Sequence, residues 1–269
     1  MHKYIKHFII LALLFASVQT GRSQSNFKLF KKIEIQGRLI STDQLGNMYA
    51  VVKNNVYKYS RDGELINQFS NNRYGKVTSI DATDPYKIVV FYEDFRTIVI
   101  LDNQLSENAS PLDLQFTDFD QPILACRAYN TGVWLFDQLL NNIYRLTLSL
   151  KVVQSSGNLS QILQYDLKPN FMIEYNNNLY LNNPETGILV FDQFGTYVKN
   201  IAINGLESFE VTEKAIFYVQ NGKIAKYHFR NLEIEKLPLP IEDVLGLSAD
   251  KNRLFILTSK ALFIYDFMG

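Results

Sequence analysis

A strand pattern that recurs about every forty residues is the feature that most limits how this chain can fold. Its clearest element is a short aromatic or β-branched run, which appears six times, at 56–60, 98–102, 143–147, 188–192, 224–228 and 262–266. Repeat periods of about 20 to 50 residues are typical of repeat architectures, and the starts of successive copies are separated by intervals within that range. The pattern predicts six copies of one structural unit.

Each unit reads as four short strands. A second apolar strand precedes each aromatic run, as in "NMYAVV", "KIVVFY" and "GVWLF", and a shorter strand ending in a polar turn precedes that one. In most units a turn and a fourth strand follow, as in "ELINQF" after Asp62-Gly63 and "TYVKNI" after Gly195. The apolar period is about two residues and β-branched and aromatic residues dominate, which indicates strands. Asp-Gly between two such runs favours a hairpin.

Six four-stranded antiparallel units predict an all-β, six-bladed β-propeller. A β-solenoid is the competing architecture, but its repeats are shorter than a meander of four strands. The last unit stops after its third strand, and residues 26–35 ("NFKLFKKIEI") offer a spare strand before the first unit. We therefore expect the N-terminal strand to complete the last blade, which removes the unpaired edges of an open ring.

The segment "DQLGNMYAVVKNNVYKYSRDGEL" (43–65) resembles the Asp-x-x-Gly-Asn-x-Tyr turn and strand of NHL-like and TolB-like propellers. The first and fourth blades carry this motif best. The resemblance implies a six-bladed propeller over the whole chain that follows the N-terminal segment 1–23. Six-bladed relatives include calcium-dependent lactonases and other hydrolases, so the resemblance also leaves an enzyme open.

The N-terminal segment 1–23 is predicted to be a secretory signal peptide. A basic start, the apolar run "IILALLFASV" and small residues before a cleavage point after Ser23 have the expected order. The alternative is a membrane anchor that stays attached. The propeller domain would then span 24–269. The Asn-, Lys-, Ile- and Tyr-rich composition resembles that of exported Bacteroidota proteins, so we expect a periplasmic or outer-membrane-associated protein.

Charge and cysteine content exclude several classes of partner and bond. Lysine plus arginine equals aspartate plus glutamate, 27 each, which gives no electrostatic basis for binding nucleic acid or an anionic membrane. Cys126 is the single cysteine, so the chain forms no internal disulfide. The apolar neighbours of Cys126 predict a buried thiol.

No catalytic, metal or cofactor site is predicted. Polar residues recur in the turn after the first strand of each unit (Asp43, Asp84, Asn130, Asn177, Glu213 and Asp250), where they suit the turn better than a metal. His228 occupies the strand-end position that Ser60, Asp102, Thr147, Asp192 and Asp266 fill in the other units, which indicates a structural turn. Carboxylates near first strands (Asp81, Asp118, Asp120, Glu174 and Glu210) follow no repeated register with asparagine partners.

Candidate binding residues lie in the loops that one face of a propeller presents. Loops on a rigid scaffold carry function, and aromatic residues and arginine are enriched at interface hot spots. We select Arg73, Tyr74, Phe95, Arg96, Leu139 and Leu140. Alternatively, Leu139 and Leu140 cap the blade core.

The resulting hypothesis is a non-enzymatic scaffold that binds an envelope protein and does not insert into the membrane itself. It would be a subunit of an outer-membrane assembly, secretion or surface complex. The alternative is a calcium-dependent hydrolase, a lactonase-like enzyme or a glycan-binding propeller that uses the mouth of the central channel.

Overall fold

A computed structural model describes residues 27–107, 109–130, 132–239, 241–250 and 252–267. The predicted signal peptide, at positions 1–23, lies outside the described residues. The described chain forms six antiparallel sheets of four strands each. In five sheets the four strands are consecutive in the chain, and in the sixth the order is β1-β24-β23-β22. The prediction of an all-β, six-bladed propeller is therefore confirmed.

The first three blades have the following strands. Blade 1 contains β2 (Leu39–Thr42), β3 (Met48–Val52), β4 (Asn55–Tyr59) and β5 (Leu65–Ser70). Blade 2 contains β6 (Ser79–Asp81), β7 (Ile88–Tyr92), β8 (Thr97–Leu101) and β9 (Leu112–Asp113). Blade 3 contains β10 (Pro122–Arg127), β11 (Val133–Asp137), β12 (Asn142–Leu146) and β13 (Val152–Ser155). A 3-10 turn (Asn72–Tyr74) follows blade 1 and a short helix, α1 (Leu159–Leu163), follows blade 3.

The remaining blades follow the same plan. Blade 4 contains β14 (Phe171–Tyr175), β15 (Asn178–Asn183), β16 (Gly187–Phe191) and β17 (Tyr197–Ile201). Blade 5 contains β18 (Phe209–Val211), β19 (Ala215–Gln220), β20 (Lys223–His228) and β21 (Ile234–Lys236). Blade 6 contains β22 (Val244–Ala249), β23 (Arg253–Thr258), β24 (Ala261–Phe267) and the N-terminal strand β1 (Phe27–Glu34).

The turn between third and fourth strands has one geometry in five blades. The first residue of the turn donates its N–H to the carbonyl of a residue four or five positions later in the chain. The carbonyl of the same first residue accepts an N–H from a residue inside the turn. The first residues are Ser60, Asp102, Thr147, Asp192 and His228. The residue inside the turn that donates this N–H has a left-handed backbone conformation. In the five blades it is Gly63, Leu105, Leu150, Gly195 and Leu232. Glycine adopts this conformation without steric cost. The glycines of the first and fourth blades therefore align because both close the same turn.

The core is divided among the six boundaries between blades. Each boundary holds one cluster of buried residues contributed mainly by the second and third strands of both neighbours. Trp134 is 1% exposed and lies in the cluster between blades 3 and 4. Since no blade has a core of its own, each sheet depends on its neighbours for burial of its apolar faces.

The ring closes through β1. This strand pairs with β24 in antiparallel register from Phe27–Phe267 to Glu34–Ala261, with a bulge between Leu29 and Lys31. Ile33 packs against the cluster between blades 6 and 1. The predicted closure of the last blade by the N-terminal strand is thus confirmed.

Deletion of residues 24–36, with the preceding segment 1–23 retained, should leave the protein poorly folded. The deletion exposes the edge of β24 and removes Ile33 from the closing boundary. Thermal unfolding followed by circular dichroism should show a loss of the cooperative transition or a much lower Tm. The control is Lys28→Ala, which changes an exposed side chain of the same strand and should keep the wild-type Tm. A deletion variant with unchanged Tm would contradict this role of β1.

Candidate functional site

The antiparallel meander places two kinds of loop on one face of the ring. These are the loops between second and third strands and the connections from each fourth strand to the next blade, and we call this side the connection face. The opposite side, with the loops between first and second and between third and fourth strands, is the turn face. All six residues selected from the sequence lie in loops of the connection face.

The connection from blade 1 to blade 2 carries Arg73 and Tyr74. Asn71 caps the short 3-10 turn by accepting the Arg73 N–H at 3.0 Å. Arg73 is exposed. Tyr74 is half-buried, because its ring lies 5.4 Å from that of the buried Tyr92. Arg73 is therefore available to a partner, whereas much of Tyr74 serves the core.

The loop of blade 2 carries Phe95 and Arg96 and lies beside that connection. Phe95 is 48% exposed, while Arg96 is half-buried and has a left-handed backbone with φ 47°. Asp94 accepts the Lys76 N–H at 3.2 Å. A Cβ atom added at Gly75 would lie 3.2 Å from the Phe95 ring. The two loops, which are separated in the sequence by the whole of β6 and β7, are thus in contact.

Leu139 and Leu140 lie on the next blade. Leu139 is 68% exposed, whereas Leu140 is half-buried. The buried carboxylate of Asp137 holds the loop by accepting the N–H of Leu140 and, through its other oxygen, the N–H of Gln121, both at 3.0 Å. Leu139 is therefore held outward by a rigid loop, and Leu140 partly covers the blade.

Sequence reasoning missed the most exposed apolar side chain of this face. Phe116, in the connection from blade 2 to blade 3, is 90% exposed, and Ile162 in the next connection is 52% exposed. Phe119 lies three residues after Phe116 but is buried, with its ring 5.1 Å from that of Tyr144. Two phenylalanines in one acidic segment give no local signal as to which of them faces solvent.

On the turn face, three of the recurring polar residues, Asp43, Asp84 and Asp250, accept hydrogen bonds from their own turns. Asp43 accepts the N–H groups of Leu45 and Asn47, each at 2.9 Å, and Asp250 accepts those of Asn252 and Arg253, each at 2.7 Å. Such bonds stabilise the turn backbone.

His228 ends β20 in the outer part of blade 5. Its Nε2 lies 2.8 Å from a carboxylate oxygen of Glu235 on the neighbouring fourth strand. The strand-end position that it shares with Ser60, Asp102, Thr147 and Asp192 is the first position of the recurring turn. This agrees with the structural interpretation of His228.

The first strands surround a narrow central channel. Its cavity measures about 30 Å³, which is room for a water molecule or two. A drug-sized ligand needs about 300 Å³ or more. Side chains of five blades line the cavity, among them Ser41, Ile80, Asp81, Ile173, Phe209 and Glu210.

Polar side chains in the channel join neighbouring blades. Ser41 accepts the Ala82 N–H at 3.0 Å and thereby links blade 1 to blade 2. Asp81 in turn accepts the Arg127 N–H of blade 3 at 2.9 Å. Such bonds satisfy backbone donors that a buried strand end would otherwise leave without a partner.

Glu174 links blade 4 back to blade 3. Its carboxylate accepts the Tyr129 N–H at 3.0 Å and the Trp134 indole N–H at 2.5 Å. Three of the five carboxylates that the sequence placed near first strands (Asp81, Glu174 and Glu210) therefore bind a neighbouring blade. This function could not be seen in the sequence, because each partner lies a whole repeat away along the chain.

Glu210 of blade 5 joins blade 6 through Ser248, and Ser248 in turn joins blade 1. The Ser248 hydroxyl donates to its carboxylate at 2.5 Å, and the hydroxyls of Ser248 and Thr42 lie 2.7 Å apart. Burial raises the pKa of Glu210 from the ordinary 4.5 to about 8, and the charge of Asp81 adds to the rise. The hydrogen bonds from Ser248 and from the Ala249 N–H oppose the rise, but burial outweighs them.

A wider, open depression of about 380 Å³ lies on the connection face at blade 6. Lys32, Glu242, Lys260 and Phe263 are among the residues that line it. Lys32 pairs with Glu34 at 2.6 Å and lies 5.7 Å from the Phe263 ring centre. Its charged groups are of both signs, so the depression favours no single class of ligand.

Three further features of the described residues concern metal binding, thiol chemistry and membrane crossing. Within the described ranges, no three His, Cys, Asp or Glu side chains are grouped closely enough to hold a metal ion. Burial raises the pKa of the Cys126 thiol well above its ordinary value. No helix in the described part of the chain has the length and apolar character needed to cross a membrane.

Comparison with solved structures supports the fold. The chain is similar to the selenomethionine-substituted virginiamycin B lyase of Staphylococcus aureus, with a TM-score of 0.64 and 14% identity over 89% of this chain and 99% of that one. A streptogramin B lyase structure gives 0.61 and 12% identity over 89% and 97%. A catalytically inactive histidine-to-alanine variant of the S. aureus lyase with quinupristin gives 0.62 and 13% over 89% and 99%.

The protein thus belongs to the structural class of six-bladed propellers. At 12–14% identity the likeness concerns the fold alone. No protein-family model and no curated protein matches the sequence. The finer resemblance to NHL-like and TolB-like propellers stays a prediction.

Replacement Glu210→Gln should change how stability depends on pH. The folded carboxyl keeps its proton to about pH 8, whereas the unfolded one titrates near 4.3. The folded state binds more protons between these values, so the free energy of unfolding of the wild type, relative to the variant, falls as pH rises from about 4.3 to about 8. A pKa difference of one corresponds to about 1.4 kcal/mol. Glu210 is half-buried rather than fully buried, so the full conversion is reduced for solvent screening and we expect a fall of about 1–4 kcal/mol.

Urea unfolding at several pH values between about 4 and 9 measures this difference. Glu213→Gln, at an exposed glutamate of the same blade, is the control and should follow the wild type. Parallel curves for the wild type and Glu210→Gln would contradict the assignment.

Proposed function

We propose that this protein is a non-enzymatic scaffold of the cell envelope that binds a partner protein through its connection face. The observation that carries the proposal is that three exposed apolar side chains lie in neighbouring loops of blades 2 and 3, which hydrogen bonds hold in place. Phe95, Phe116 and Leu139 are 48%, 90% and 68% exposed. Exposed apolar side chains also occur on the turn face, such as Leu45 and Phe194, but these two lie on blades 1 and 4. Single exposed apolar residues are ordinary, whereas apolar groups in adjoining loops are typical of interaction sites.

The loops that carry these residues are held by hydrogen bonds. The Phe95 carbonyl accepts the Gln115 side-chain amide at 2.9 Å, next to Phe116. The Gln138 N–H donates to the Gln121 carbonyl at 2.8 Å, next to Leu139. Rigid presentation lowers the entropy that binding costs. This arrangement favours a preformed protein-binding surface.

The channel favours an enzyme or a small-molecule binder less. Its cavity of about 30 Å³ is small, and the carboxylates of Asp81, Glu174 and Glu210 bind neighbouring blades. A calcium-dependent hydrolase or lactonase would need carboxylates directed at a ligand. These three instead stabilise the ring.

The lyase activity of the structural neighbours does not transfer on fold alone. One neighbour is described as inactive after replacement of a histidine. The described part of this chain contains a single histidine, His228, which pairs with Glu235 in the outer part of blade 5. That location does not favour catalysis at the channel. Incubation with quinupristin should leave the antibiotic intact, and its turnover would overturn the proposal of a non-enzymatic scaffold.

The location in the envelope rests on the sequence of the N-terminal segment 1–23. An exported scaffold would act in the periplasm or at the outer membrane, as part of an assembly, secretion or surface complex. Fractionation of cells that produce the tagged protein tests this location. Recovery of the protein in the cytoplasm, with the N-terminal segment still attached, would contradict it.

The double variant Phe95→Ala with Leu139→Ser should lower recovery of the partner without unfolding the protein. Loss of interface anchors costs about 2 kcal/mol or more each, and about 1.4 kcal/mol weakens binding tenfold. The measurement is affinity purification of the tagged protein from detergent-solubilised envelopes, with quantitative mass spectrometry of the proteins recovered.

The matched control is Leu45→Ser on the turn face, where the replaced leucine is 60% exposed. It should recover the partner at the wild-type level. The Tm of each variant should stay within a few degrees of the wild type, since the replaced side chains lie at the surface. Equal recovery of the partner by the double variant and by the control would contradict the proposed site.

A further inference from the structure

The apolar residues of the proposed site belong to one continuous strip of loops, which we call the blade 2–4 arc. It consists of the loops 93–96, 138–141 and 184–186 and the connections 114–121 and 156–170. Hydrogen bonds join its parts in order. The Gln138 side chain donates to the Leu167 carbonyl at 2.6 Å, and the Lys168 N–H donates to the Asn183 side chain at 2.9 Å.

Exposed carboxylates surround the apolar residues of this arc. Six acidic residues of the arc are exposed: Glu93, Asp94, Asp118, Asp120, Asp166 and Glu185. The basic residues of the same ranges are Arg96, which is half-buried, and Lys168. The arc is therefore negatively charged, although the whole sequence has no net charge.

The arc's carboxylates, like several elsewhere in the ring, have no ionic partner among the described residues. Ion pairs between described side chains occur in blades 5, 6 and 1 and at their boundaries, as in Arg253–Asp62 and Arg61–Asp250. None of the arc's acidic residues makes an ion pair with a described residue. Complementary charge in a partner would therefore meet carboxylates that are not already neutralised.

We propose that the blade 2–4 arc binds a protein segment in which apolar anchor side chains are flanked by lysine or arginine. This inference rests on the proposed function and adds the chemistry of the partner. Phe116, with Leu139 and Ile162, supplies the apolar contact surface. Charge complementarity at the rim supplies specificity and a faster association. An anionic lipid surface would be repelled by the same carboxylates.

The test is to pan a phage-displayed library of random peptides on the purified protein and to sequence the peptides that are retained. Peptides with an aromatic or aliphatic residue next to lysine or arginine should be enriched at least tenfold over acidic ones. The preference should weaken in high salt, because the screening length falls from about 10 Å at 0.1 M to about 3 Å at 1 M. Phe116→Ser with Leu139→Ser should abolish the enrichment.

A charge reversal tests specificity directly. Asp118→Lys with Asp120→Lys should abolish the preference for basic flanks, because the arc would then hold four acidic and four basic residues. The described residues offer neither Asp118 nor Asp120 a side-chain hydrogen bond or ion pair that this change would break. Glu213→Lys with Glu233→Lys adds the same charge to the turn face and should leave the basic preference unchanged.

Several outcomes would overturn the inference. In the peptide selection, these are no enrichment at all or enrichment without an excess of lysine or arginine. A preference that is unchanged by reversal at Asp118 and Asp120 would also overturn it. So would binding to phosphatidylglycerol vesicles that depends on Phe116. Partner recovery from envelopes separates this failure from that of the proposed function. If Phe95→Ala with Leu139→Ser lowers recovery but reversal at Asp118 and Asp120 does not, the scaffold stands and the basic partner is wrong.

Discussion

The pairing of β1 with β24 is the interaction on which the rest of this structure depends. Each blade buries its apolar faces only against its neighbours, so the apolar faces of blades 6 and 1 are fully buried only when the last boundary closes. An open ring would also present the free edge of β24 to other chains. The N-terminal strand solves both problems, because it covers that edge and places Ile33 in the closing boundary.

Closure also explains why the polar residues of the channel are structural. Where the first strands converge, backbone groups lie close to the axis and need partners away from bulk water. Ser41, Asp81, Glu174 and Glu210 supply those partners across the boundaries between blades. The elevated pKa of Glu210 follows from burial at such a boundary. A perturbed carboxyl near the axis of a propeller is therefore not by itself a sign of catalysis.

With the channel committed to holding the ring together, the connection face offers the best surface for function. Its loops are joined to one another by hydrogen bonds and carry both apolar and acidic groups toward solvent. The two sets have different consequences. In the proposed interaction the apolar groups provide contact area, and the unpaired carboxylates select the charge of the partner.

The strands and their order could be predicted from the sequence because the signals are local. Period-two apolar runs and turn residues located all six blades, although the third strands end one residue earlier than expected where Ser60, Asp102, Thr147 and Asp192 begin the turn. The candidate site was harder to predict from the sequence, because the exposure of a side chain depends on residues that are distant in the chain.

Three residues illustrate this limit. Tyr74 is half-buried because Tyr92 lies against it. Phe119 is buried because β12 brings Tyr144 to it, whereas Phe116 in the same segment meets no such neighbour and stays 90% exposed. In each case the deciding contact comes from another strand or blade, which a local pattern does not contain.

The most direct test of the central claim is photo-crosslinking from Phe116 in living cells. A photoreactive benzoylphenylalanine replaces Phe116 in one variant and Leu45, on the turn face, in another. After irradiation, one discrete adduct with an envelope protein should form from position 116 and none from position 45. No adduct from position 116, or the same adducts from both positions, would contradict the claim that this protein binds a partner through its connection face.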